Sequence, residues 1–257
     1  IVPHDDQSTR QHGFLTLLPT ERDEMIAVWL DAREYNSQSP GDSFGNAVQL
    51  RSTTIGKDGT LGKDIPLDLR ACSCCQTSAA ITEDGTVLIA YRDRTADEIR
   101  DISIVRRHNE VWSGPVNVHA DGWEISGCPV NGPAIDAQAT DAVVAWFTGA
   151  DNIATVKVAF SEDSGVTFGP AFQVDSGESV GRVGTLMLAT GDALISWVEW
   201  TSDGEVLMLC RATKNDGCVA RQTITEHAAS GSFNFPKLAR SGDTIYLAWT
   251  QPIDFEA

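Results

Sequence analysis

The stretch VLIAYRDRTADEIRDISIV, residues 87–105, sets a pattern that recurs along the whole chain. It begins as an apolar strand, crowds charged side chains into residues 92–101, and ends as a second strand. Its first half returns as IAVWLDAR, VVAWFTG, LISWVEW and YLAWTQP. The central aromatic residues of the five phrases are Trp29, Tyr91, Trp146, Trp197 and Trp249. They lie 62, 55, 51 and 52 residues apart. A period near fifty, built of short β-rich units, predicts a β-propeller.

The repeat predicts an all-β fold of four-stranded antiparallel blades within one domain, residues 1–257. The expected units cover about residues 12–70, 76–120, 130–176, 181–228 and 234–257. The last unit has room for only half a blade. Because an open propeller leaves a long unpaired strand edge, we expect a complete ring of five or more blades, with six as the expected number. This chain would supply about four and a half of them. A missing segment or a second chain would then close the ring.

Composition narrows the classes of partner and the compartment. The net charge of -17 argues against nucleic acid or an anionic membrane as a general partner, since both attract Lys and Arg. The sequence has no apolar run of about 18 residues, the length that spans a bilayer. Its six cysteines are an even count that suits disulfides in an oxidising compartment. These features predict an acidic, extracytoplasmic protein, periplasmic or secreted, without a cofactor.

Propeller topology brings two sets of loops to one rim of the central channel. In each blade the loop before the innermost strand and the loop after the second strand lie at the same end, because these strands are antiparallel. The residues expected at this rim and suited to binding a substrate are His12, Arg33, Arg92, Arg94, Arg100, Asn131 and Arg182. Arginine binds carboxylate, sulfate or phosphate through paired N–H donors. The rim therefore predicts a carbohydrate or another anionic small ligand, and an acidic sugar would fit it.

The same arginines have an alternative role as structural ion pairs. Within residues 92–101, three arginines each have an acidic residue close by in the sequence. Ion-pair networks of this kind imitate binding sites. The sequence leaves both interpretations open.

Four cysteines are expected to cluster at the same rim. They are Cys72, Cys74, Cys75 and Cys128. The first three directly precede the inner strand of the second unit, and the fourth precedes that of the third unit. Two disulfides are the simplest interpretation for an exported protein. A thiolate site for Zn or Cu(I) is the alternative, because soft sulfur ligands select such ions. The remaining pair, Cys210 and Cys218, flanks the segment LCRATKNDGC and would join adjacent strands.

The segment SEDSGVTF resembles the Asp-box, S-x-D-x-G-x-T-[WF], of the bacterial-neuraminidase repeat in sialidases and related propellers. The matching residues are Ser161, Asp163, Gly165, Thr167 and Phe168. This box is structural: Ser161 and Asp163 would bond the backbone of a turn, Gly165 would adopt a positive φ, and Phe168 would pack into the blade. The phrases CSCCQT, YRDR–EIRDI and GCPVNGPA are also similar to those of bacterial secreted sialidase-like proteins.

The resemblance implies an exo-acting glycoside hydrolase for an acidic sugar. Sialidases hold the substrate carboxylate with arginines and use a tyrosine nucleophile and an aspartate that transfers protons. In this sequence the catalytic candidates are Tyr35, Asp31 and Asp93, all in loops that leave a second strand. A shared fold does not fix a function. A non-catalytic secreted propeller that binds a glycan or a protein is therefore the second hypothesis, and a thiolate metal-binding propeller is the third.

Overall fold

The computed structural model describes residues 3, 4, 6–20, 23–35, 47–227 and 233–250. Within these residues the regular structure is β-strand, apart from one 3-10 turn at Ala150–Asn152. Five antiparallel sheets follow one another along the chain, in the order of the repeat. Each sheet is one blade, and the fold is the predicted β-propeller. No helix in this described part is long and apolar enough to cross a membrane.

The strands fall into blades as follows. Blade 1 holds β1 (His12–Pro19), β2 (Glu24–Asp31), β3 (Val48–Gly56) and β4 (Ile65–Ala71). Blade 2 holds β5 (Ser78–Ile81), β6 (Val87–Arg92), β7 (Ile102–His108), β8 (Val111–Trp112) and β9 (Val116–His119). Blade 3 holds β10 (Ala134–Gln138), β11 (Asp141–Thr148), β12 (Thr155–Ser161) and β13 (Phe172–Gln173). Blade 4 holds β14 (Ser179–Met187), β15 (Ala193–Thr201), β16 (Gly204–Thr213) and β17 (Gly217–His227). Blade 5 begins with β18 (Lys237–Ser241) and β19 (Thr244–Ala248), and residues 251–257 of this unit lie outside the described residues.

The outer strands of blades 2 and 4 each have a distinguishing feature. In blade 2 the expected fourth strand consists of two pieces, β8 and β9, which both pair with β7. The break contains Gly114 and Pro115, and proline has no N–H to donate to the ladder. In blade 4 the disulfide between Cys210 and Cys218 joins β16 to β17, as the sequence predicted.

The second strand of each complete blade is buried on both faces. In β6, Ile89 and Tyr91 pack against blade 1, whereas Leu88 and Ala90 pack against blade 3. The equivalent strands β2, β11 and β15 are likewise mostly buried. Burial on both faces explains why the repeated phrases are continuous apolar runs instead of alternating apolar and polar residues.

Hydrogen bonds near the rim link blades 1, 2 and 3 to one another. The hydroxyl oxygens of Thr16 in blade 1 and Thr77 before blade 2 lie 2.7 Å apart. The side chain of Gln76 in turn bonds the backbone of Gly132, just before blade 3. These links fix the loops around the channel relative to one another.

The central aromatic residue of each complete blade donates a hydrogen bond to a carboxylate. The indole pairs are Trp29 with Asp31 at 2.7 Å, Trp146 with Asp121 at 2.6 Å and Trp197 with Glu199 at 2.7 Å. In blade 2 the aromatic residue is Tyr91, whose hydroxyl donates to Asp68 of blade 1. Tryptophan and tyrosine bury a large apolar body and need a partner for one polar atom. The carboxylate comes from the same strand in blades 1 and 4, and from the outer strand of the preceding blade or the loop after it in blades 2 and 3.

The turn between β12 and β13 carries the residues of the predicted box. Asp163 accepts hydrogen bonds from the backbone N–H of Thr167 at 2.9 Å and from its hydroxyl at 2.6 Å. The hydroxyl of Ser161 accepts from the N–H of Gly165 at 2.9 Å, and Gly165 has a φ of 74°. Phe168 packs against the core between blades 2 and 3. This turn joins a third strand to a fourth, so it lies at the end of the blade away from the rim and has a structural role.

Candidate functional site

Asp31 lies at the end of β2 with both carboxylate oxygens engaged. Its Oδ1 accepts from the backbone N–H of Arg33 at 2.8 Å, and its Oδ2 accepts from Nη2 of Arg33 at 2.6 Å. His12 Nε2 is 3.3 Å from the same Oδ2. Burial opposes the charge, but the hydrogen bonds from Arg33 and Trp29 outweigh it and lower the pKa of Asp31. Its carboxyl is therefore ionised near neutral pH and anchors Arg33.

Arg33 and His12, both predicted to bind substrate, meet two further carboxylates. Nη2 of Arg33 lies 2.7 Å from Asp64, and its Nε lies 3.2 Å from Asp6. His12 Nε2 is 3.1 Å from Asp6, and the imidazole of His4 stacks on that of His12. His4, Asp6 and His12 offer ligand atoms within 4.8 Å of one another, a set that metals accept. The guanidinium of Arg33 competes with any cation for the oxygens of Asp6.

A pair of carboxyl groups, Asp93 and Asp68, lies just beyond the end of β6. Asp93 is half-buried beside Asp68 of β4. Asp93 accepts hydrogen bonds from the hydroxyl of Ser103 at 3.0 Å and from the backbone N–H of Arg94 at 2.6 Å, while Tyr91 donates to Asp68. Burial raises the pKa of Asp93 to about 6, and the neighbouring carboxyl of Asp68 adds to the shift. Asp93 therefore holds a proton in the pH range in which general acids work.

The residue opposite the central aromatic distinguishes blade 2 from blades 1 and 3. On the third strand, Arg51 pairs with the aromatic of blade 1 and Lys157 pairs with that of blade 3. Each forms an ion pair with a nearby carboxylate, at 2.7 and 2.5 Å respectively. In blade 2 the equivalent residue is the neutral Ser103. The carboxyl pair of Asp93 and Asp68 therefore lacks a cation at the position where blades 1 and 3 supply one.

Arg92 lies between blades 2 and 3 and is 1% exposed. Its Nε donates to the carbonyl of Asn131 at 2.9 Å, Nη1 donates to that of Arg100 at 2.6 Å, and Nη2 donates to that of Phe147 at 2.6 Å. Its guanidinium carbon lies 4.9 Å from the ring centroid of Trp123. These contacts make Arg92 a structural link between two blades.

Arg94 and Arg100 share the carboxylate of Glu98. Nη2 of Arg94 is 2.6 Å from Oε1, and Nη2 of Arg100 is 2.8 Å from Oε2. The hydrogen bond from Arg94 contributes most to lowering the pKa of Glu98. Nη1 of Arg100 also lies 3.4 Å from Sγ of Cys72. Both arginines thus form ion pairs within their own loop, Arg100 buried and Arg94 partly exposed.

The other predicted rim residues lie farther along the ring or at its surface. Nη1 of Arg182 is 3.2 Å from Glu205 and also donates to the carbonyl of Phe233. Oδ1 of Asn131 accepts from the backbone N–H of Arg182 at 2.8 Å, which joins blade 3 to blade 4. Tyr35 follows β2 and is 36% exposed.

The rim cysteines cluster as predicted but form one disulfide there instead of two. Cys74 and Cys128 are bonded, whereas Cys72 and Cys75 are free and buried. The loop before blade 3 contributes one cysteine, Cys128, so only one disulfide can form between this loop and the three cysteines before blade 2. The Sγ atoms of Cys72 and Cys75 are 3.5 Å apart. The hydrogen bond from Cys75, with that from Arg100, outweighs burial and lowers the pKa of Cys72 to about 5.

Sequence reasoning missed Asp68, although it completes the carboxyl pair. It lies in the outer strand of one blade and contacts Tyr91 in the next, 23 residues later. A repeat shows which residues share a position within blades, not which residues meet between them. The available signal was an acidic residue inside the strand IPLDLRA.

No protein-family model and no curated protein matches the chain. Solved structures do match it in shape. A Hadza microbial sialidase, Hz136, superposes with a TM-score of 0.53 at 11% identity, over 84% of this chain and 47% of the sialidase. The polysaccharide lyase Uly1 superposes with a TM-score of 0.55 at 11% identity, over 94% of this chain and 67% of the lyase. The catalytic domain of a GH62 α-L-arabinofuranosidase from Coprinopsis cinerea gives 0.51 at 9% identity, over 98% and 88%.

These likenesses establish the fold that the chain shares with the three proteins. The chain spans about half the length of the sialidase. At such low identity the activities of the three proteins do not transfer with the fold.

Proposed function

We propose that this propeller acts on carbohydrate and that Asp93 transfers a proton to or from a sugar bound at the rim. The observation that carries the proposal is the carboxyl pair of Asp93 and Asp68, in which the pKa of Asp93 rises to about 6. Most glycoside hydrolases use two carboxyls, one of which is kept protonated as the general acid. The fold that the chain shares with proteins named for carbohydrate chemistry supports the same function.

The two aspartates predicted as catalytic have environments that favour different roles. Arg33 and Trp29 hold Asp31 ionised, whereas burial and Asp68 keep the proton on Asp93. A carboxyl whose pKa is raised suits the role of general acid. Asp93 is thus the proton-transferring group and Asp31 the anchor of Arg33. Tyr35, exposed after β2, remains the candidate nucleophile.

An acidic sugar is the substrate class that the rim favours. Arg33, Arg94 and Arg182 have side chains that are 15%, 16% and 21% exposed, so a ligand can reach part of each side chain. Arg92 and Arg100 are buried and act by holding the loop in place. A substrate carboxylate that binds one of these arginines would share it with its protein partner. The two disulfides support a location outside the cytoplasm.

The test is hydrolysis of a panel of fluorogenic glycosides that includes a sialoside and a glucuronide. Asp93→Asn should lower kcat by about 10²- to 10⁴-fold, the usual contribution of a general acid. The rate of the wild type should fall as the pH rises through about 6, because Asp93 then loses its proton. Asp97→Asn is the matched control, since Asp97 is exposed in the same loop.

Two results would contradict the assignment. Wild-type turnover by Asp93→Asn would exclude Asp93 as the acid, and equal losses in both variants would show that the loop is only sensitive to substitution. Circular dichroism of each variant establishes whether the blades remain folded.

A non-catalytic propeller that binds an acidic glycan is the second candidate. The observation in its favour is that the predicted rim arginines already have carboxylates or carbonyls as partners, which makes the rim a rigid surface. A folded protein that leaves the whole panel intact, yet binds a sialoside in calorimetry, would support this function. Arg94→Gln should then weaken binding, whereas Arg211→Gln on β16 of blade 4 should not.

A further inference from the structure

Four cysteines meet at the rim between blades 2 and 3, apart from the carboxyl pair. Cys72 and Cys75 are 1% and 2% exposed. Sγ of Cys72 lies 3.5 Å from Sγ of Cys75 and 3.7 Å from Sγ of Cys74, which is bonded to Cys128. Three of these cysteines come from one short loop, and Cys128 comes from the loop before the next blade. The two blades thus bring four sulfur atoms into one small volume.

Two buried guanidinium groups adjoin the sulfur atoms. Nη1 of Arg100 lies 3.4 Å from Sγ of Cys72, and Arg100 is 5% exposed. Nε of Arg100 is buried and has no hydrogen-bond partner among the described residues. The side chain of Arg92 donates to backbone carbonyls, and its electrostatic partners include Cys72 and Cys75. Buried cations need compensating negative charge: Glu98 already pairs with Arg100 at 2.8 Å, and thiolates of Cys72 and Cys75 would add further negative charge beside the two guanidinium groups.

We propose that, after reduction of the Cys74–Cys128 disulfide, the four rim cysteines bind one Zn²⁺ ion as thiolate ligands. Reduction by a dithiol transfers two electrons: the reductant becomes a disulfide, and Cys74 and Cys128 become thiols. Cys128 is exposed, so a reductant reaches the bond from solvent. Binding then forms four Zn–S bonds and releases the protons of those cysteines that were still thiols. The inference is independent of the proposed action on carbohydrate.

Distances and charge both fit this ion. Zn–S bonds of about 2.3 Å in a tetrahedron place neighbouring sulfurs about 3.8 Å apart. The two unbonded sulfur separations given above, 3.7 and 3.5 Å, are close to that value. Four thiolates with Zn²⁺ carry two net negative charges, which the guanidinium group of Arg92 and, in part, that of Arg100 beside Glu98 would offset. The N–H···S contact from Arg100 is of the kind that orients a metal ligand.

The experiment is an anaerobic titration of the reduced full chain with Co²⁺ as a spectroscopic probe, followed by Zn²⁺. We expect thiolate-to-cobalt charge-transfer absorption and the intense visible bands of tetrahedral coordination at one ion per chain, displaced by one equivalent of Zn²⁺. The oxidised chain, with two of its four sulfurs in a disulfide, should not give these bands. Cys210→Ser/Cys218→Ser removes the other disulfide and should leave the titration unchanged.

Loss of a residue that hydrogen-bonds a metal ligand weakens metal binding by roughly 10- to 100-fold. Cys72→Ser and Cys75→Ser each remove a ligand itself, so each should weaken Zn²⁺ binding by more than that. Arg100→Gln keeps all four sulfurs and should weaken binding within that range. Because a buried substitution can unfold the chain, circular dichroism is recorded on each variant. The comparison of reduced with oxidised wild-type protein tests the proposal without any substitution. Absence of the tetrahedral bands in reduced wild type, or equal bands in the oxidised form, would overturn the proposal.

Discussion

Gln76 and Gly132 join the second and third blades through hydrogen bonds in both directions. The backbone N–H of Gly132 donates to Oε1 of Gln76 at 2.9 Å, and Nε2 of Gln76 donates to the carbonyl of Gly132 at 3.2 Å. The two backbones approach so closely that a Cβ on Gly132 would lie 1.9 Å from the carbonyl oxygen of Gln76. Only glycine permits this approach, and the loops that carry the rim cysteines depend on it.

Gly132→Ala should therefore lower the free energy of unfolding by about 2 kcal/mol or more, because the backbone of Gln76 must move to relieve the overlap. Urea unfolding followed by tryptophan fluorescence measures the change. Gly114→Ala is the matched control, since a Cβ there has no heavy atom within 4 Å, and it should change stability by less than about 0.5 kcal/mol. Equal stability of the two variants would mean that the blades are not held together at this point.

Arg92→Lys should destabilise the fold although it keeps the positive charge. A lysine ammonium cannot reproduce the planar fork whose three nitrogens reach three separate carbonyls. Hydrogen bonds from a charged donor contribute about 1.5–3 kcal/mol each, so we expect a loss of about 3 kcal/mol. Arg211→Lys, with a side chain that is 54% exposed, should have almost no effect. If Arg92→Lys left the free energy of unfolding unchanged, the guanidinium group of Arg92 would not be what links blades 2 and 3.

Asp93 should make stability depend on pH between about 4 and 6. The folded chain keeps the proton on Asp93 up to a pKa of about 6, whereas the unfolded chain releases it near its ordinary pKa of about 4. The folded state therefore binds more protons in this window, and the contribution of Asp93 to stability is lost as the pH rises through it. As the pH rises from 4 to 7, the free energy of unfolding of Asp93→Asn should increase by about 2–3 kcal/mol relative to that of the wild type.

Denaturant unfolding at a series of pH values measures this difference, and Asp97→Asn serves as the control because it should run parallel to the wild type. A difference between Asp93→Asn and the wild type that is independent of pH would show that Asp93 titrates normally.

The oxidised chain should contain two free thiols that are hidden while the protein is folded. Cys72 and Cys75 are free and buried, and the other four cysteines are bonded in pairs. Iodoacetamide should therefore add nothing to the native protein and two adducts to the denatured protein, as read from intact mass. Peptide mapping should place both adducts in the segment CSCC. Four adducts, or adducts on Cys128, would contradict the pairing.

The arginines show why site prediction from the sequence succeeds only in part. Topology correctly predicted that the loops before β5 and β10 meet, as the Cys74–Cys128 disulfide shows. It also led to Arg92 and Arg94 being treated alike. Arg92 is the last residue of β6 and points into the contact with blade 3, whereas Arg94 lies in the loop beyond the strand and meets Glu98.

The sequence by itself determined the architecture. Strand periodicity, turn residues and a phrase that recurs about every fifty residues are local properties, and they predict blades because each blade forms mainly from its own segment. The tertiary structure alone decided the chemistry of the site. Whether Asp93 carries a proton depends on Asp68 in another blade, and whether Cys72 is free depends on which cysteine Cys128 meets. Burial and charge act through space between blades, at distances that the order of residues along the chain does not specify.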